Sequence, residues 1–504
     1  MVMRAAVIGL AVVLCASTAF GADAGLGLPT GPCGTKPPAK DQRRKGGEGV
    51  PPLPLPATPQ RRTEKKRPPS PPPLIAKIQY GAKKRIEANG QTVEYWDWDK
   101  DPGDVEILLK TANGQLGVNY TSRKGPLSAF PADAAQYPIF LYSGSEDFTL
   151  SDAEVERLRE FVRAGGTIWG DTVYGDPDFF QAFVREMSKV LPDRRFHRLP
   201  AEHPLLNSFH PIKEVVYTRP VPDAPNGEPM LYGMDLGCRT AILVSRYGLC
   251  CGWDGHIREG AFNLHPNDAR NLGVNMIAYA LGTHEVAMSQ SVAKVYHEEN
   301  QQARGDFVFA QARVGENWDC QANGIANLLK TVATCTSAEI KFDRKIVDLA
   351  SEDSLNYPFL YVTGHNDFVL SDAEVRGLKA YLSAGGFLLA GPCCGSREFD
   401  AAFRREIGRV LTGHELQPLA EDHPVYTILQ PIRELRYNAF AAATETSLPR
   451  LPLEGITLGG RTPLIYCPFG LGGWRGFDHP YGRDVAADDA MKLGVNVVLY
   501  SLTH

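Results

Sequence analysis

The sequence predicts an α/β protein built from two tandem domains, each with a mostly parallel sheet. Two observations support this. First, Tyr137–Tyr217 aligns without a gap with Tyr357–Tyr437, and 30 of the 81 paired positions are identical. Second, short apolar runs alternate with segments of helical periodicity in both copies, which is typical of parallel sheets covered by helices on both faces. The offset of 357 − 137 = 220 residues far exceeds a solenoid repeat, so it indicates duplication of a whole domain.

Residues 1–21 are predicted to be a signal peptide. Arg4 precedes the apolar run Ala5–Ala16, and the small residues Ala19 and Gly21 suit cleavage after residue 21. The apolar run is short for a membrane span, and no later stretch is apolar enough to be one. We therefore expect export to the periplasm or secretion, with no transmembrane span after cleavage. An uncleaved anchor, or a lipoprotein modified at Cys15, is the alternative.

Residues 22–75 are predicted to be a disordered, proline-rich tether. Residues 29–73 hold 14 prolines, and residues 36–67 carry ten Lys or Arg against three Asp or Glu, a local charge of +7. The whole chain has a net charge of −5, so the remainder sums to −5 − 7 = −12, which is not typical of a nucleic-acid binder. The tether is expected to be an extended spacer, or alternatively to be drawn weakly to anionic polymers of the cell envelope.

Two globular domains are predicted at 76–284 and 306–504, joined by a polar linker at 285–305. In each, a strand precedes a helix that starts with a capping box, in which a serine accepts from the third amide and a glutamate accepts from the cap residue. Paired glycines then end the helix, where a left-handed residue is favoured. The matched elements are strands Ile139–Tyr142 and Phe359–Val362, capping boxes Ser151–Glu154 and Ser371–Glu374, glycines Gly165-Gly166 and Gly385-Gly386, strands Thr167–Trp169 and Phe387–Ala390, and helices Phe179–Val190 and Phe399–Val410.

Candidate site residues follow two strands of the second copy. Ligands of open parallel sheets bind beyond the carboxyl ends of the strands. The residues at these positions are Gly364, His365, Asp367, Cys393, Cys394 and Gly395. The first copy has Ser145 in place of the histidine and Val173-Tyr174 in place of the cysteines, so the candidate chemistry belongs to the second copy. A later His-Pro pair, at His203 and His423, occurs in both copies, which favours a structural turn.

The early Trp-Asp, followed by YPFLYVTGHNDFVLSDAEV, AGGFLLAGPCCGSREFDAAFRREI and EDHPVY, resembles the DUF4159 family. The resemblance covers both globular halves. It implies a flavodoxin-like, class I glutamine-amidotransferase-like fold, similar to trehalose-utilisation-type domains, in an exported or envelope-associated bacterial protein. The family's function is uncharacterised. The second copy departs from its pattern at Gly391-Pro392, where two aspartates are usual.

In the amidotransferase fold the nucleophilic cysteine sits on a sharp turn after a strand, so the resemblance implies Cys394, or Cys393, as a candidate nucleophile. A nearby base or helix N-terminus lowers a thiol pKa, and His365 or His423 is the candidate base. No His-x-Glu pair of the kind that fold carries follows these cysteines in the sequence. The competing interpretations of the cysteine pair are buried small apolar residues or a vicinal disulfide.

A metal site is a second candidate, because His365, Asp367, Cys394 and His423 carry suitable atoms. Adjacent cysteines are weaker evidence for a metal than a CxxC spacing. Candidate ligand-binding positions are Gly364, Asp367, Ser371 and Gly395. No P-loop, Rossmann fingerprint or EF-hand loop occurs, so the sequence assigns no cofactor. Ten cysteines leave nine after cleavage, hence at least one unpaired, and Cys320 and Cys335 are candidate partners.

Two classes of function fit these observations. The first is a non-enzymatic binding or scaffold protein of the cell envelope, whose partners are other envelope proteins or a small ligand. The second is a Cys- or metal-dependent hydrolase that acts on a small envelope-derived substrate through the second domain. The two domains are also expected to pack as an intramolecular pseudo-dimer through equivalent surfaces.

Overall fold

The computed structural model describes residues 70–88, 91–291, 307–338 and 340–504. The predicted signal peptide and the tether up to residue 69 lie outside the described residues. Two similar α/β domains follow, each with a seven-stranded mixed sheet that is mostly parallel. Among the described residues, no helix combines the length and apolarity needed to cross a membrane.

The first domain has nine strands and five α-helices among its described residues. The strands are β1 Pro73–Gln79, β2 Lys84–Ala88, β3 Gln91–Tyr95, β4 Thr121–Pro126, β5 Ile139–Gly144, β6 Thr167–Thr172, β7 His197–Arg198, β8 Leu231–Leu236 and β9 Arg239–Ser245. The helices are α1 Asp104–Leu116, α2 Asp152–Arg163, α3 Pro177–Val190, α4 Cys250–Asp254 and α5 Pro266–Ser291.

The second domain has seven strands and five α-helices in the described part of the chain. The strands are β10 Phe307–Ala312, β11 Ile340–Val347, β12 Phe359–Gly364, β13 Phe387–Pro392, β14 Gln417–Pro418, β15 Glu454–Leu458 and β16 Arg461–Tyr466. The helices are α6 Ala322–Cys335, α7 Asp372–Ser383, α8 Arg397–Val410, α9 Ala439–Thr444 and α10 Ala487–Thr503.

The two sheets share one topology. Their strand orders are β4-β1-β5-β6-β9-β8-β7 and β11-β10-β12-β13-β16-β15-β14. The first five strands of each order run parallel, and the sixth, β8 or β15, pairs antiparallel with the strands on both of its sides. The hairpin of β2 and β3 occurs in the first domain alone among the described residues, where the sequence carries its extra segment. The prediction of two mostly parallel α/β domains is therefore confirmed.

Each sheet is buried on both faces because alternate residues of its strands point to opposite sides. In β5, Ile139 and Leu141 join the apolar cluster that includes α1 and α5, whereas Phe140 and Tyr142 join the cluster that includes α2 and α3. The second domain repeats this arrangement with α6 and α10 on one face and α7 and α8 on the other. Because helices cover both faces of each sheet, a ligand site is expected at the carboxyl ends of the parallel strands, where the connecting loops lie.

The local signals in the sequence act as expected. Both capping boxes form, at Ser151 with Glu154 and at Ser371 with Glu374. Gly165 and Gly385 follow the capped helices with φ of +101° and +99°. These conformations suit glycine, which has no Cβ to clash in the left-handed region.

The ends of the first domain differ slightly from the predicted boundaries. β1 begins at Pro73, inside the last residues of the predicted tether, because Leu74 and Ile75 are fully buried. Helix α5 continues to Ser291, so residues 285–291 of the predicted linker are helical. Val286 and Ala287 are buried there, which explains why the helix extends.

The two domains contact each other through non-equivalent surfaces. The turn between β8 and β9 of the first domain, Gly237-Cys238, touches the carboxyl edge of the second domain. The equivalent turn of the second domain, Gly459-Gly460, would have no heavy atom within 4 Å of a Cβ added at either residue. This corrects the expectation of contact through equivalent surfaces, because only the first domain's turn carries a side chain that fits the opposite edge.

Candidate functional site

The candidate site lies at the carboxyl edge of the second sheet, where β12 and β13 end side by side. Gly364 pairs with Pro392 in this parallel ladder, so His365 and Cys393 emerge at the same level. One ring nitrogen of His365 and the sulfurs of Cys393 and Cys394 lie within 4.8 Å of one another. The structure thus brings together three of the predicted residues.

The chain turns sharply at Cys394, which has a φ of +54°. A non-glycine residue in the left-handed region is uncommon and marks a conformation that the surrounding structure imposes. Such strand-to-helix turns hold the nucleophile in some hydrolases. Tyr174 has a φ of +63° at the matching place in the first domain. The turn is therefore a feature of the shared fold, and the thiol is what the second domain adds.

The environment of Cys394 does not activate its thiol. The residue is 7% exposed, and burial raises the pKa of the Cys394 thiol well above its ordinary value. Burial does the same for the pKa of Cys393. The Nδ1 atom of His365 is buried without a hydrogen-bond partner, so no Cys–His pair is formed through it. Reactive cysteines need a low pKa and access, and these two have neither.

His423 is not brought to the cysteines. Its Nδ1 accepts from the amide of Val425 at 3.2 Å, and its Nε2 is 3.2 Å from the hydroxyl of Thr462. Thr462 lies at the start of β16, so His423 is at the amino edge of the parallel sheet, opposite the cysteines. His203 of the first domain makes the same contact with Thr240 at 3.1 Å. A shared structural role explains why both copies have this histidine.

The four predicted ligand-binding positions have structural contacts. Asp367 accepts from Arg405 at 2.9 Å, and Ser371 caps α7. A Cβ at Gly364 would lie 2.8 Å from the ring of Phe399. Gly395 has a φ of +64°, and a Cβ there would lie 2.3 Å from a backbone oxygen. Asp367 also lines a cleft of about 360 Å³ between the domains, so it has access to a ligand.

Two cysteines that the sequence did not single out for this site complete it. Cys238 reaches in from the first domain, with its sulfur 2.7 Å from that of Cys393. Cys320, after β10, is grouped with Cys238 and Cys393, with the three sulfurs within 4.8 Å of one another. The sulfurs of Cys393 and Cys394 are 3.6 Å apart. We call Cys238, Cys320, Cys393 and Cys394 the four-cysteine cluster.

All four members of the cluster are buried and unpaired by disulfides. Cys335, the candidate partner of Cys320, is exposed at the end of α6. The predicted pairing of these two is therefore not formed. In the sequence, Cys238 is marked only by its place in a two-residue turn. Its contact with Cys393 depends on how the two domains pack, which the sequence pattern does not show.

Backbone contacts hold the turn of the first domain in the site. The amide of Gly237 donates to Oδ1 of Asn317 at 3.1 Å, and the carbonyl of Cys238 accepts from Nε2 of His479 at 3.1 Å. Nδ1 of His479 accepts from the amide of Tyr481 at 3.1 Å, which fixes the neutral tautomer. Burial lowers the pKa of His479 to about 4, in agreement with that tautomer.

Gly237 is needed at this turn for two reasons. Its φ is +62°, and a Cβ there would lie 2.4 Å from Nε2 of Gln290. Gln290 lies near the end of α5 and donates to the carbonyl of Cys320 at 3.1 Å. The helical extension of the first domain therefore also contacts the second domain at the cluster.

A buried arginine balances charge at the cluster. Nη1 of Arg475 lies 3.5 Å from the sulfur of Cys238, and Nη2 lies 4.0 Å from Asp484. Burial opposes ionisation of Cys238, but hydrogen bonds with the other three thiols and the charge of Arg475 outweigh it, so the pKa of Cys238 is well below its ordinary value. Burial raises the pKa of Cys320.

The comparisons with known proteins agree with the duplication. The sequence profile of a family described as a domain of unknown function, DUF4159, matches residues 75–281 and 308–502. A search of curated proteins returned no significant match.

Proposed function

The chain belongs to the DUF4159 family, and we propose that it is a non-enzymatic binding or scaffold protein of the bacterial cell envelope. One observation carries the proposal. The turn Gly237-Cys238 of the first domain covers the edge of the second domain where a nucleophile would have to act. A site closed by part of the same chain suits binding and assembly better than turnover.

The proposal also covers the fold family of the domains, the location of the protein and its partners. The shared strand order and the left-handed residue after β6 and β13 support a flavodoxin-like, class I glutamine-amidotransferase-like fold. Arg4 and the apolar run Ala5–Ala16 support export to the periplasm or secretion. The partners would be other envelope proteins or a small ligand, and the basic tether would add attraction to anionic polymers.

The cleft beside Asp367 supports a binding role. Basic residues of the first domain, among them Arg195 and Arg198, face acidic residues of the second, among them Glu316 and Glu398. A volume of about 360 Å³ lies in the lower part of the usual range for small-molecule sites. A ligand with both positive and negative groups would complement these walls.

The cysteine-dependent form of the competing hydrolase requires a reactive Cys394 or Cys393. We expect both to resist alkylation in the native full chain, because they are buried and their thiol pKa values are raised. The measurement is alkylation rate against pH, read by peptide mass. Cys335 is exposed and serves as an internal positive control in the same sample. Fast labelling of Cys394 at a pH below about 8.5, the ordinary pKa of a free cysteine thiol, would restore the hydrolase and overturn the proposal.

A further inference from the structure

We propose that the four-cysteine cluster is a binding site for a thiophilic d¹⁰ cation, Zn²⁺ or Cu⁺, at the contact between the two domains. The inference rests on the proposed closure of the site, since Cys238 belongs to the covering turn. The cation would be the ligand that the covered carboxyl edge of the second sheet binds.

The sulfur positions suit one shared ion. A tetrahedral Zn–S distance of about 2.3 Å places ligand sulfurs about 3.8 Å apart. The sulfurs of Cys238, Cys320 and Cys393 already lie within 4.8 Å of one another, and those of Cys238 and Cys394 lie within 4.8 Å as well. Binding by all four requires side-chain rotations, among them one that separates the sulfurs of Cys238 and Cys393, now 2.7 Å apart.

The turn at Cys394 removes the usual objection to adjacent cysteine ligands. In an extended strand, successive side chains point to opposite faces. The left-handed backbone at Cys394, with φ of +54°, instead leaves its sulfur 3.6 Å from that of Cys393. Both sulfurs therefore face Cys238 rather than diverging.

The donor set selects a soft cation. The four sulfurs outnumber other donors, and thiolates favour Cu⁺ and Zn²⁺ over Mg²⁺ or Ca²⁺. His479 is grouped with Cys238 and Cys394, but both of its ring nitrogens are engaged in hydrogen bonds. It therefore holds the carbonyl of Cys238, as Gln290 holds that of Cys320. Such outer contacts orient the ligands of metal sites.

The charges also balance. Four thiolates and one divalent ion carry a charge of −2, and a buried guanidinium of Arg475 lies 3.5 Å from Cys238 to offset part of it. Among the described residues, the Nε and Nη2 atoms of Arg475 have no hydrogen-bond partner, and Asp484, 4.0 Å from Nη2, shares its positive charge. Binding of Zn²⁺ forms four metal–sulfur bonds and releases to solvent the protons that the four thiols carry.

An ion has a place to enter. A cavity of about 40 Å³ adjoins the cluster and is lined by Gln290, Cys320 and Arg475 among others. This is enough space for a water molecule, whose share of liquid volume is about 30 Å³. The cavity therefore brings solvent to the edge of the cluster at Cys320.

The test is titration of the reduced, metal-free full chain with Co²⁺, a spectroscopic substitute for Zn²⁺. We expect one equivalent to bind, with a thiolate-to-cobalt charge-transfer band. Cys238→Ser and Cys320→Ser should each weaken binding by more than the roughly 10- to 100-fold loss seen when outer contacts are changed. Cys335→Ser and Cys467→Ser are the matched controls, one exposed and one buried outside the cluster, and should bind as the parent does.

Further outcomes identify the ion. Displacement of Co²⁺ by Cu⁺ alone assigns the site to copper, and displacement by Zn²⁺ at comparable concentration assigns it to zinc. Absence of a charge-transfer band together with failure of the protein to take Cu⁺ from a chromogenic Cu⁺ chelator would overturn the proposal. Protein recovered with a Cys238–Cys393 disulfide in place of metal would also overturn it.

The same alkylation data separate this inference from the proposed closure. Thiols that are inert in the metal-free protein, with no metal bound, would leave the closure standing and remove the ion. Thiols of Cys393 and Cys394 that react freely in the metal-free protein would remove the closure itself.

Discussion

The two domains place different chemistry at the same point of one fold. In the second domain Asn317, His365 and Cys320 occupy the edge near the cysteine pair. At the matching places of the first domain are Asp97, Ser145 and Lys100, and the lysine donates to both of the others. An ion-pair network thus fills one edge and sulfurs fill the other. The comparison teaches that the fold does not require the cysteines, so their convergence calls for a reason beyond folding.

The two β-turns differ in the same way. Gly237 and Cys238 are engaged by the second domain, whereas a Cβ added at Gly459 or Gly460 would meet nothing within 4 Å. The contact is heterologous, because the surface each domain offers is different. The contact is made once within the chain, because the matching turn of the second domain, Gly459-Gly460, carries no cysteine that could repeat it.

The largest expected effect is a loss of stability. It compares a buried charged pair of the first domain with the neutral residue at the matching place of the second. Asp104→Asn removes the carboxylate 2.7 Å from the buried ammonium of Lys77, which keeps Asp99 at 3.2 Å, and should lower the free energy of unfolding by about 3 kcal/mol. Gln311→Leu, at the matching place of Lys77 in the second domain, removes the hydrogen bonds of a neutral amide and should cost about 1–2 kcal/mol. Urea unfolding measures both, with hydrogen exchange assigning each loss to its domain.

Asp372→Asn is the control for that experiment, because its side chain is 87% exposed and its ion pair with Arg409 should contribute little. Equal losses for Asp104→Asn and Gln311→Leu would contradict the contrast between a charged and a neutral edge.

The two β-turns should differ in how a substitution at their first glycine affects access to the cysteines. Gly237→Ala and Gly459→Ala both place a side chain in the left-handed region, which costs about 1–2 kcal/mol each. Only the first also crowds Gln290, whose Nε2 would lie 2.4 Å from the added Cβ. Gly237→Ala should therefore raise the alkylation rate of Cys393 and Cys394 by about tenfold, the equivalent of about 1.4 kcal/mol. Similar rates in the two variants would show that the turn does not cover the cysteines.

The smallest expected effect is a dependence of stability on pH in the first domain. Burial and then the carboxylate of Asp254 raise the pKa of Asp101 to about 6, whereas Gln321 at the matching place does not titrate. Because the folded pKa exceeds the unfolded pKa, the stabilisation by protonated Asp101 is present below about pH 4 and is lost as pH rises through about 6.

Asp101→Asn should remove this dependence. The unfolding free energy of the parent minus that of the variant should fall by about 1 kcal/mol between pH 4 and 7, a figure reduced because solvent screens the pair. Urea unfolding at several pH values gives the comparison. If the unfolding free energy of the parent minus that of the variant instead rises with pH, the folded-state pKa of Asp101 is lowered rather than raised.

Much of each domain was readable from the sequence because its signals are local. The serine and glutamate of a capping box lie three residues apart, and a left-handed glycine acts on its own turn, so both were placed correctly. The convergence of His365 with Cys393 and Cys394 followed from a general property of parallel sheets. His423 was misplaced relative to them, because sequence order does not tell which edge of the sheet a loop after the parallel strands returns to.

The sequence by itself determined two similar α/β domains, two strands and two helices of each, and the edge at which chemistry gathers. Those follow from periodicity and from duplication, which are written in neighbouring residues. Only the tertiary structure decided that Cys238 joins Cys320, Cys393 and Cys394, and that the domains meet through different surfaces. Cys238 and Cys393 are 155 residues apart. Their contact depends on the packing of one whole domain on another, which no local pattern encodes.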